Sequence, residues 1–396
     1  MIGFAVLVTS LLGVSTTAPP ADFSALGGEI TTRVAAEFFD AERARAWADR
    51  HAELGRGLTE ADAFAAAVRS ALAELATSHT AYYRDTDAAY WDILAIFEPT
   101  LGRDATTERI GAAFGAEAGG WYVERTFPGG PAETAGLLRG DRVLLAGGAP
   151  FDPGRSFRGK DGWPLTLTVE RRPGEAPLEI PVVPRRIDPA EEWITAQAAT
   201  TRVVEIAGRK IGETRIFSCA GQKPLQLLAD QVQSELAAAE ALVLDLRGGW
   251  GGCDFRLVAL FDPAVPRLES WDRDGTRSTF SATWKKPLVV LIDQGSRSGK
   301  EAVARGLQRA GRARLVGTRT AGAVVAGRPF VLSDGSLLYL AVRDLTLDGE
   351  RLEGVGVAPD VEVAAPLPGA AGADPQRDAA LALAARLVTD LSRADR

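Results

Sequence analysis

Apolar residues recur at helical spacing in the first hundred residues of the chain. A polar run at 59–62 is typical of a helix start, and Phe64, Val68, Leu72 and Leu75 then follow on one face of the predicted helix. An earlier helix is predicted over residues 30–52, with the candidate core residues Val34, Phe38 and Trp47. The N-terminal part therefore predicts a helical region, which ends at the polar sequence Thr-Ser-His-Thr of residues 77–80.

Beyond residue 100 the pattern changes to short apolar stretches separated by glycine and proline turns. The strand-like stretches are residues 109–114, 120–125, 142–145, 165–169 and 178–183. Small residues at 131–138 predict a short helix, and Arg-Gly-Asp at 139–141 predicts the turn that follows it. This order of elements predicts an inserted unit of mostly β structure.

From about residue 189 onward, apolar strands alternate with helices. The predicted strands are 211–217, 241–246, 287–292 and 313–316, and the predicted helices are 224–236 and one that begins at Gly299. Such alternation is typical of a parallel or mixed sheet with helices packed on it. A hairpin at 330–340 is expected to continue this sheet, and 375–392 is expected to be an amphipathic helix. The predicted fold class is α/β, with an α+β core.

The composition narrows the classes of function. The chain has 396 residues, enough for two or three domains, and a formal net charge of −7. The sequence has no basic stripe with interleaved aromatic residues, which argues against nucleic acid as a partner. Two cysteines, Cys219 and Cys253, are too few for a disulfide framework. Buried free thiols are therefore favoured over a single bridge.

The N-terminus is apolar over residues 1–14 and is followed by small residues, as in a secretory leader. No Lys or Arg precedes this stretch, and it is too short for a membrane span. Residues 1–22 are predicted to be a leader. The protein is accordingly expected in the periplasm, in the cell envelope or outside the cell, with a cytoplasmic location as the alternative.

The most informative chemical sequence is Gln-Gly-Ser-Arg-Ser-Gly-Lys-Glu at residues 294–301. It follows a buried-looking strand and opens a helix, where free backbone N–H groups and the positive end of the helix dipole both point. A serine at this junction is placed for nucleophilic attack on a carbonyl, because the same groups stabilise the oxyanion that forms. Ser296 and Ser298 are both candidates. The alternative is that the serine only caps the helix.

A glycine-rich turn, Asp-Leu-Arg-Gly-Gly-Trp-Gly-Gly, occupies residues 245–252 at the end of a predicted strand. Glycines let the backbone turn with positive φ and bring its N–H groups close to a ligand. The Lys-Ser or Lys-Thr pair of a phosphate-binding loop is missing, so nucleotide binding is discounted. At the carboxyl end of a sheet strand, this turn is predicted to be an oxyanion-hole loop that faces the serine helix.

These two segments, together with Gly-Thr-Arg-Thr-Ala-Gly at 317–322 and Glu-Gly-Val-Gly-Val-Ala-Pro-Asp at 353–360, resemble the C-terminal processing peptidase family. That family includes the tricorn core protease. The resemblance covers nearly the whole chain beyond the leader and implies a serine peptidase with Ser298 as the nucleophile. Two positions depart from the family pattern, since Gly249 stands where asparagine is common and Lys300 lies inside the nucleophile helix.

The family has two catalytic arrangements, which the sequence distinguishes. The Ser–Lys arrangement is disfavoured, because Ala323 occupies its lysine position and its usual aspartate is replaced near Arg309. The tricorn-like arrangement uses a Ser-His pair, matched here by Ser78 and His79, and a glutamate, matched by Glu353. The resemblance implies that His79 is the general base and that the other two residues orient its imidazole.

The predicted oxyanion hole completes this set, whereas the expectations for Lys300 and His51 come from their local sequence. The oxyanion hole is expected to use the N–H of Gly299 and one from Gly251 or Gly252. Lys300 is expected to be solvated, and His51, the other histidine, to be a surface or capping residue. No metal or organic cofactor is expected.

The inserted β unit resembles a bacterial PDZ domain in its small-residue helix, turn and following strand. PDZ domains bind an extended peptide as an added strand, and backbone amides receive the terminal carboxylate. The resemblance implies a peptide-binding loop, which consists of Ile110, Gly111, Ala112, Ala113 and Phe114. The alternative is a lid or spacer. The predicted domains are a helical region at 23–100, a PDZ-like domain at 101–187 and a peptidase core at 188–396, with the C-terminal helix within 373–396.

The leading hypothesis is an exported serine endopeptidase that cleaves unfolded or C-terminally exposed polypeptides. Polypeptides are then the expected partners, and no membrane span is expected beyond the leader. Two other hypotheses stay open, a peptide-binding protein of the same fold without catalysis and a hydrolase of small esters or amides. The sequence does not determine the oligomeric state.

Overall fold

A computed structural model describes residues 22–117 and 119–394. The predicted leader, residues 1–22, lies outside the described residues except for Asp22. Within the described ranges, no helix is both long enough and apolar enough to cross a membrane.

The N-terminal region is helical, as predicted. Its elements are α1 (Ser24–Glu37), α2 (Ala41–Arg50), α3 (Ala61–Ala73), β1 (Ala81–Tyr83) and α4 (Ala88–Leu101). The prediction of one helix over residues 30–52 is wrong, because the chain breaks between α1 and α2. Phe38 is extended, and the carboxylate of Asp40 accepts a hydrogen bond from the N–H of Arg43 at 3.1 Å, which caps α2.

A β-rich unit follows. Its elements are β2 (Thr107–Arg109), β3 (Ala112–Glu117), β4 (Gly120–Thr126), α5 (Pro131–Thr134), β5 (Arg142–Ala146), β6 (Ala149–Pro150), β7 (Leu165–Glu170), β8 (Leu178–Val182) and β9 (Arg185–Ile187). The sheet has the order β3-β4-β5-β7-β8, with β6 paired to β5, while β2 and β9 pair with each other. Ile110, Val123, Leu137 and Val169 belong to its own core cluster. The PDZ assignment and the domain boundaries stay predictions.

The remaining chain builds a mixed sheet. Its elements are α6 (Pro189–Thr200), β10 (Arg202–Ile206), β11 (Arg209–Arg215), α7 (Lys223–Gln233), β12 (Ala241–Asp245), a 3₁₀ helix (Phe255–Phe261), β13 (Leu268–Trp271), β14 (Arg277–Phe280), β15 (Leu288–Ile292), α8 (Gly299–Arg309), β16 (Arg314–Gly317), β17 (Val325–Val331), β18 (Leu337–Asp344), β19 (Val361–Glu362) and α9 (Pro375–Ala394). The strand order is β10-β11-β12-β15-β16-β19. All of its neighbouring strands are parallel except β10 and β11.

Helices cover both faces of this sheet, which explains its apolar strands. Every residue of β12 and β15 is buried. Leu242 and Leu244 of β12 pack in the cluster that includes α7 and α8, whereas Val243 packs with α9 on the opposite face. Strands buried on both faces have nearly continuous hydrophobic sequences, as these do. The predicted α/β class is confirmed.

The hairpin of β17 and β18 does not continue the mixed sheet, so that prediction is wrong. It forms a separate three-stranded sheet with β1, in which Ala81 lies opposite Tyr339. The side chains of β18 alternate, since Leu338 packs with α1–α3 and Leu337 packs with α4. This second sheet needs apolar cover on both of its own faces, and it ties the N-terminal helices to the C-terminal half of the chain.

Candidate active site

Ser298 lies at the turn between β15 and α8, directly before the first residue of the helix. Its backbone has φ 59° and ψ −129°, a conformation that costs free energy for any residue other than glycine. The Ser298 N–H donates to the carbonyl oxygen of Ala323 at 2.9 Å and to Oε2 of Glu301 at 3.0 Å. The strained turn is therefore held from two sides, as expected for a serine presented at a strand-to-helix elbow.

Glu301 is the residue that the sequence analysis missed at this turn. Its buried carboxylate accepts hydrogen bonds from the N–H groups of Gly322 at 2.7 Å and Ala323 at 2.8 Å and from Oγ1 of Thr320 at 2.5 Å. It thereby fastens the 320–323 loop to the elbow. The available signal was the spacing Ser-x-x-Glu at 298–301, which is typical of a capping box.

Ser296, the other candidate serine, is buried and fully hydrogen-bonded. Its side chain is fully buried, and Oγ donates to the carbonyl oxygen of Leu246 at 2.9 Å while accepting from the N–H of Asp293 at 3.0 Å. Together, the two hydrogen bonds join the end of β12 to the turn that follows β15. Ser296 is therefore not free to react.

His79 follows α3 and lies just before β1. It is buried, its φ is 54°, and its ring lies 5.5 Å from the ring of Tyr339, measured between centroids. Its Nδ1 is 2.9 Å from Oγ of Ser78, which in turn lies 2.9 Å from Oε2 of Glu353. The structure thus brings Ser78, His79 and Glu353 together.

This chain of hydrogen bonds determines the imidazole tautomer. An ionised Glu353 can only accept, so the single hydroxyl hydrogen of Ser78 points at the carboxylate. The hydroxyl oxygen must then accept from Nδ1–H of His79. The lone pair of the imidazole is consequently on Nε2, where a general base needs it.

The same carboxylate is anchored to the elbow region. Oε1 of Glu353 accepts from the N–H of Ser78 at 2.7 Å, and Oε2 accepts from the N–H of Val324 at 2.6 Å. Val324 follows Ala323, whose carbonyl oxygen holds the Ser298 N–H. One short loop therefore binds both the serine elbow and the glutamate that orients the histidine.

The electrostatics keep the imidazole neutral. Burial, followed by the positive charge of Arg297, lowers the pKa of His79 from its ordinary value to about 3. Arg297 precedes Ser298 in the chain and lies over the ring of Trp250, 5.3 Å from its centroid. At neutral pH, His79 is thus an unprotonated acceptor.

The glycine turn reaches the elbow through Gly251. A Cβ atom added to Gly251 would lie 2.4 Å from Cβ of Ser298 and 3.0 Å from its Oγ, so no side chain fits there. Gly299 packs against the backbone of Cys253, which a Cβ would approach to 2.5 Å. Of the predicted oxyanion residues, Gly251 and Gly299 therefore lie beside Ser298. A Cβ added to Gly252 would instead lie against Ala220.

Known proteins resemble this chain in sequence and in fold. Residues 211–363 match the model of peptidase family S41. This part of the chain is a peptidase S41 domain. The chain is 30% identical over 255 residues to a carboxyl-terminal-processing protease of Synechocystis sp., which covers 60% of this chain and 58% of that protein. It is also 30% identical over 292 residues to tricorn protease homolog 1 of Streptomyces coelicolor, which covers 68% of this chain and 27% of that protein.

Solved structures show the same S41 fold. The photosystem II D1 C-terminal processing protease matches with a TM-score of 0.52 and 21% identity over 89% of this chain and 98% of its own. The tricorn protease matches with a TM-score of 0.58 and 19% identity over 92% of this chain and 37% of its own. The chain spans 57% and 58% of the length of two curated carboxy-terminal processing proteases that it matches.

The prediction of free thiols is wrong, because Cys219 and Cys253 form a disulfide. The glycine turn runs beside the segment that follows β11. The N–H of Trp250 donates to the carbonyl oxygen of Phe217, and the N–H of Cys219 donates to that of Gly251, both at 3.1 Å. This pairing brings the two cysteine Cα atoms to 4.3 Å, which residues 34 apart in sequence did not reveal.

The prediction that Lys300 is solvated is also wrong. Lys300 has no exposed surface, and its Nζ donates to three backbone carbonyl oxygens. In the first turn of α8, the lysine side chain turns inward to the glycine turn instead of outward to water. His51 lies where expected, at the C-cap of α2, and its Nε2 is 3.1 Å from Oε2 of Glu74.

A cavity of about 750 Å³ adjoins the elbow and connects it to the β-rich unit. The predicted peptide loop contributes Ile110, Ala112, Ala113 and Phe114 to its lining. Gly111 has φ 71°, and its carbonyl oxygen accepts from the N–H of Phe127 at 2.8 Å. The opposite side of the cavity is lined by residues that include Gly248, Gly249, Trp250 and Arg297. The predicted peptide loop and the start of the glycine turn therefore line one space.

A partly buried polar network lies along this cavity wall, and the sequence analysis missed it. Nε1 of Trp250 donates to Oδ2 of Asp92 at 2.9 Å, and Arg109 donates to Oδ1 of the same carboxylate at 2.9 Å. Nε of Arg109 lies 3.1 Å from Oε2 of Glu192. Arg109 directly precedes the peptide loop, so the network links this loop to the glycine turn.

The disulfide gives a stability prediction. Replacing both Cys219 and Cys253 by Ser should lower the free energy of unfolding by about 3–4 kcal/mol, the loop-closure value for a separation of 34 residues. Urea denaturation without reductant measures this difference. Reductant should bring the wild type close to the variant and leave the variant unchanged. Equal stability of both proteins without reductant would show that the bridge does not stabilise the fold.

The buried histidine gives a second stability prediction. The pKa of His79 is lower in the native state, at about 3, than in the unfolded chain, at about 6.5, so the unfolded state binds more protons between these values. Above pH ~6.5 His79 is neutral in both states, so it adds no pH dependence to the free energy of unfolding. Below that pH, the free energy of unfolding falls by up to about 1.4 kcal/mol per pH unit.

Denaturation of the wild type and of His79→Gln between pH 4 and 7.5 tests this slope. The wild type should lose more stability than His79→Gln as the pH falls. The control variant His51→Gln, which removes the other histidine, should keep the steep wild-type slope. Parallel curves for the wild type and His79→Gln would contradict the prediction.

Proposed function

We propose that this chain is a serine endopeptidase that cleaves unfolded or C-terminally exposed polypeptides. Ser298 is the nucleophile, His79 is the general base, and Ser78 and Glu353 orient the base. The observation that carries the proposal is the hydrogen-bonded series Glu353–Ser78–His79, which is anchored through Val324 to the loop that holds the Ser298 elbow. The peptidase S41 domain supports it.

In the first step, Oγ of Ser298 attacks the carbonyl carbon of the scissile peptide bond, and its proton passes to Nε2 of His79. Negative charge collects on the carbonyl oxygen and is stabilised by the N–H groups of Gly299 and Gly251. The carbon–nitrogen bond then breaks, and the imidazolium returns the proton to the leaving amine. This leaves an acyl group on Ser298.

Water completes the cycle by the same route. His79 takes a proton from the water, the hydroxide attacks the acyl carbonyl, and Ser298 leaves with the proton that His79 returns. Glu353 stabilises the transient imidazolium through the Ser78 hydroxyl. The low pKa of His79 keeps the base unprotonated before each attack.

The peptide loop is proposed to receive the C-terminal end of the substrate. Ile110, Gly111, Ala112, Ala113 and Phe114 would pair with the substrate backbone as an added strand, and their N–H groups would bind the terminal carboxylate. The cavity that this loop shares with the glycine turn supports the idea, because one extended chain can follow it from loop to elbow.

The protein is proposed to act outside the cytoplasm. The Cys219–Cys253 disulfide supports this location, since such bonds persist mainly in oxidising compartments. Thiol labelling of the protein in fractionated cells tests it. Recovery in the cytoplasmic fraction with both thiols free would contradict the proposal.

Replacement of the proposed catalytic residues gives the main test. Ser298→Ala and His79→Ala should each lower turnover on the order of 10⁴-fold, because each removes a part of one proton-transfer unit. Glu353→Gln should lose less, since the Ser78 hydroxyl still contacts the imidazole. Fragments of an unfolded protein, counted over time by mass spectrometry, give the rates.

Ser234→Ala and His51→Ala are matched controls at positions away from the site, and both should cleave at the wild-type rate. Unchanged cleavage by Ser298→Ala would disprove the nucleophile assignment. Cleavage that is lost in Ser298→Ala but survives in His79→Ala would mean that another base acts. If the wild type binds C-terminal peptides without cleaving any, the peptide-binding hypothesis replaces this one.

The peptide loop gives a separate prediction about substrate ends. A peptide with a free C-terminal carboxylate should have a kcat/KM about 10-fold or more above that of its C-terminally amidated copy, because a charge-assisted hydrogen bond is lost in the amide. Kinetics on a matched pair of fluorogenic peptides measure the ratio. Equal values would favour the lid or spacer role.

A further inference from the structure

Lys300 is a buried cation held by backbone alone. Its Nζ donates to the carbonyl oxygens of Gly248 at 2.7 Å, Ile216 at 2.8 Å and Phe217 at 3.2 Å. All three acceptors of the ammonium are neutral carbonyl groups. Burying a charge in this way costs free energy, so its retention in the site calls for a role.

The space that the ammonium fills adjoins Gly249. A Cβ added to Gly249 would lie 3.4 Å from Nζ of Lys300 and only 2.1 Å from the carbonyl oxygen of Phe217. A side chain at position 249 is therefore incompatible with this path of the turn. The glycine at 249 and the lysine at 300, which both depart from the family pattern, thus both lie against the carbonyl oxygen of Phe217.

The contact fixes the parts of the site relative to each other. Lys300 lies two residues after Ser298 in α8, and its acceptors lie at the start of the glycine turn and after β11. The carbonyl oxygen of Phe217 accepts from Lys300 and also from the N–H of Trp250. Through these bonds, the position of Gly251 beside Ser298 depends on the ammonium group.

We propose that Lys300 is a positioning residue, whose ammonium group holds the 248–252 turn against the serine elbow so that the Gly251 N–H meets the oxyanion. The inference rests on the proposed peptidase function and assigns to Lys300 no contact with substrate. It predicts an effect on turnover and little effect on substrate binding, because the oxyanion exists only after attack.

The three acceptors require the charged form of the lysine. An ammonium has three N–H donors, whereas a neutral amine has two donors and a lone pair, which would face a carbonyl oxygen. The charged side chains around Lys300 are Arg125, Arg215, Asp245 and Asp293. Burial and the two arginines lower the pKa of Lys300 well below its usual range, against the opposing effect of the carboxylates. Deprotonation at alkaline pH should therefore release the turn.

The test compares Lys300→Met with the wild type and with Lys286→Met. Lys286 also donates to two backbone carbonyls, those of Ala237 at 2.8 Å and Ala239 at 2.6 Å, but lies before β15 at the far end of the strand from Ser298. Lys300→Met should lower kcat on the order of 10²-fold and leave KM within about twofold. Lys286→Met should leave both unchanged. An unchanged kcat in folded Lys300→Met, or a loss confined to KM, overturns the inference.

The pH dependence of kcat gives a readout that a purely structural role would not move. In the wild type, kcat should fall with the loss of one proton at a pH below the ordinary lysine pKa of about 10.4, while near-UV circular dichroism shows intact packing. This fall at alkaline pH, the alkaline limb of the profile, should be absent from Lys300→Met. A wild-type kcat that stays constant up to that pH overturns the inference, even if Lys300→Met fails to fold.

Ser298→Ala separates this inference from the proposed function. If Ser298→Ala cleaves like the wild type, the peptidase assignment fails, and the inference about Lys300 fails with it. If Ser298→Ala is inactive while Lys300→Met keeps the wild-type kcat and alkaline limb, only the role of Lys300 is wrong.

Discussion

The buried carboxylate of Glu301 is the interaction on which the site depends most. A carboxylate away from water is stable only when several donors surround it, and Glu301 finds them in the Ser298 N–H and in the 320–323 loop. Satisfying this one group forces the strained elbow and the loop into contact. The next residue of the loop, Val324, then reaches Glu353. The positions of serine and histidine are thus linked through two glutamates that do not touch substrate in the proposed reaction.

The two sheets have separate tasks in building this arrangement. In the mixed sheet, β12 and β15 are neighbours and end side by side, which places the glycine turn next to the elbow. The three-stranded sheet pairs β1 with β18, and the segment before β1 that carries Ser78 and His79 is bound to Glu353. Neither sheet contains all the reactive groups. The site lies between the two sheets. Its geometry therefore also depends on the packing of β18 against helices on both of its faces.

The sequence was sufficient for features with local signals. The buried runs of β12 and β15, the serine before α8 and the polar motif that contains His79 could all be recognised from neighbouring residues. Contacts made by distant segments could not. Lys300 lies in an ordinary helical position, and its acceptors at 216, 217 and 248 have no side-chain signature because they are backbone carbonyls. The disulfide could not be predicted for the same reason, since a pairing of loops determines the distance between Cys219 and Cys253.

The separation of Ser78 and Glu353 has a consequence for the timing of synthesis. These residues are 275 positions apart and share two hydrogen bonds. At a translation rate of about 5–20 residues per second, roughly 15–55 s pass between their addition to the nascent chain. During this interval the histidine is present without the carboxylate that determines its tautomer, and for most of it the β18 strand that supports the histidine is also incomplete. The growing polypeptide therefore cannot contain an assembled site, whatever its N-terminal two thirds have already folded into.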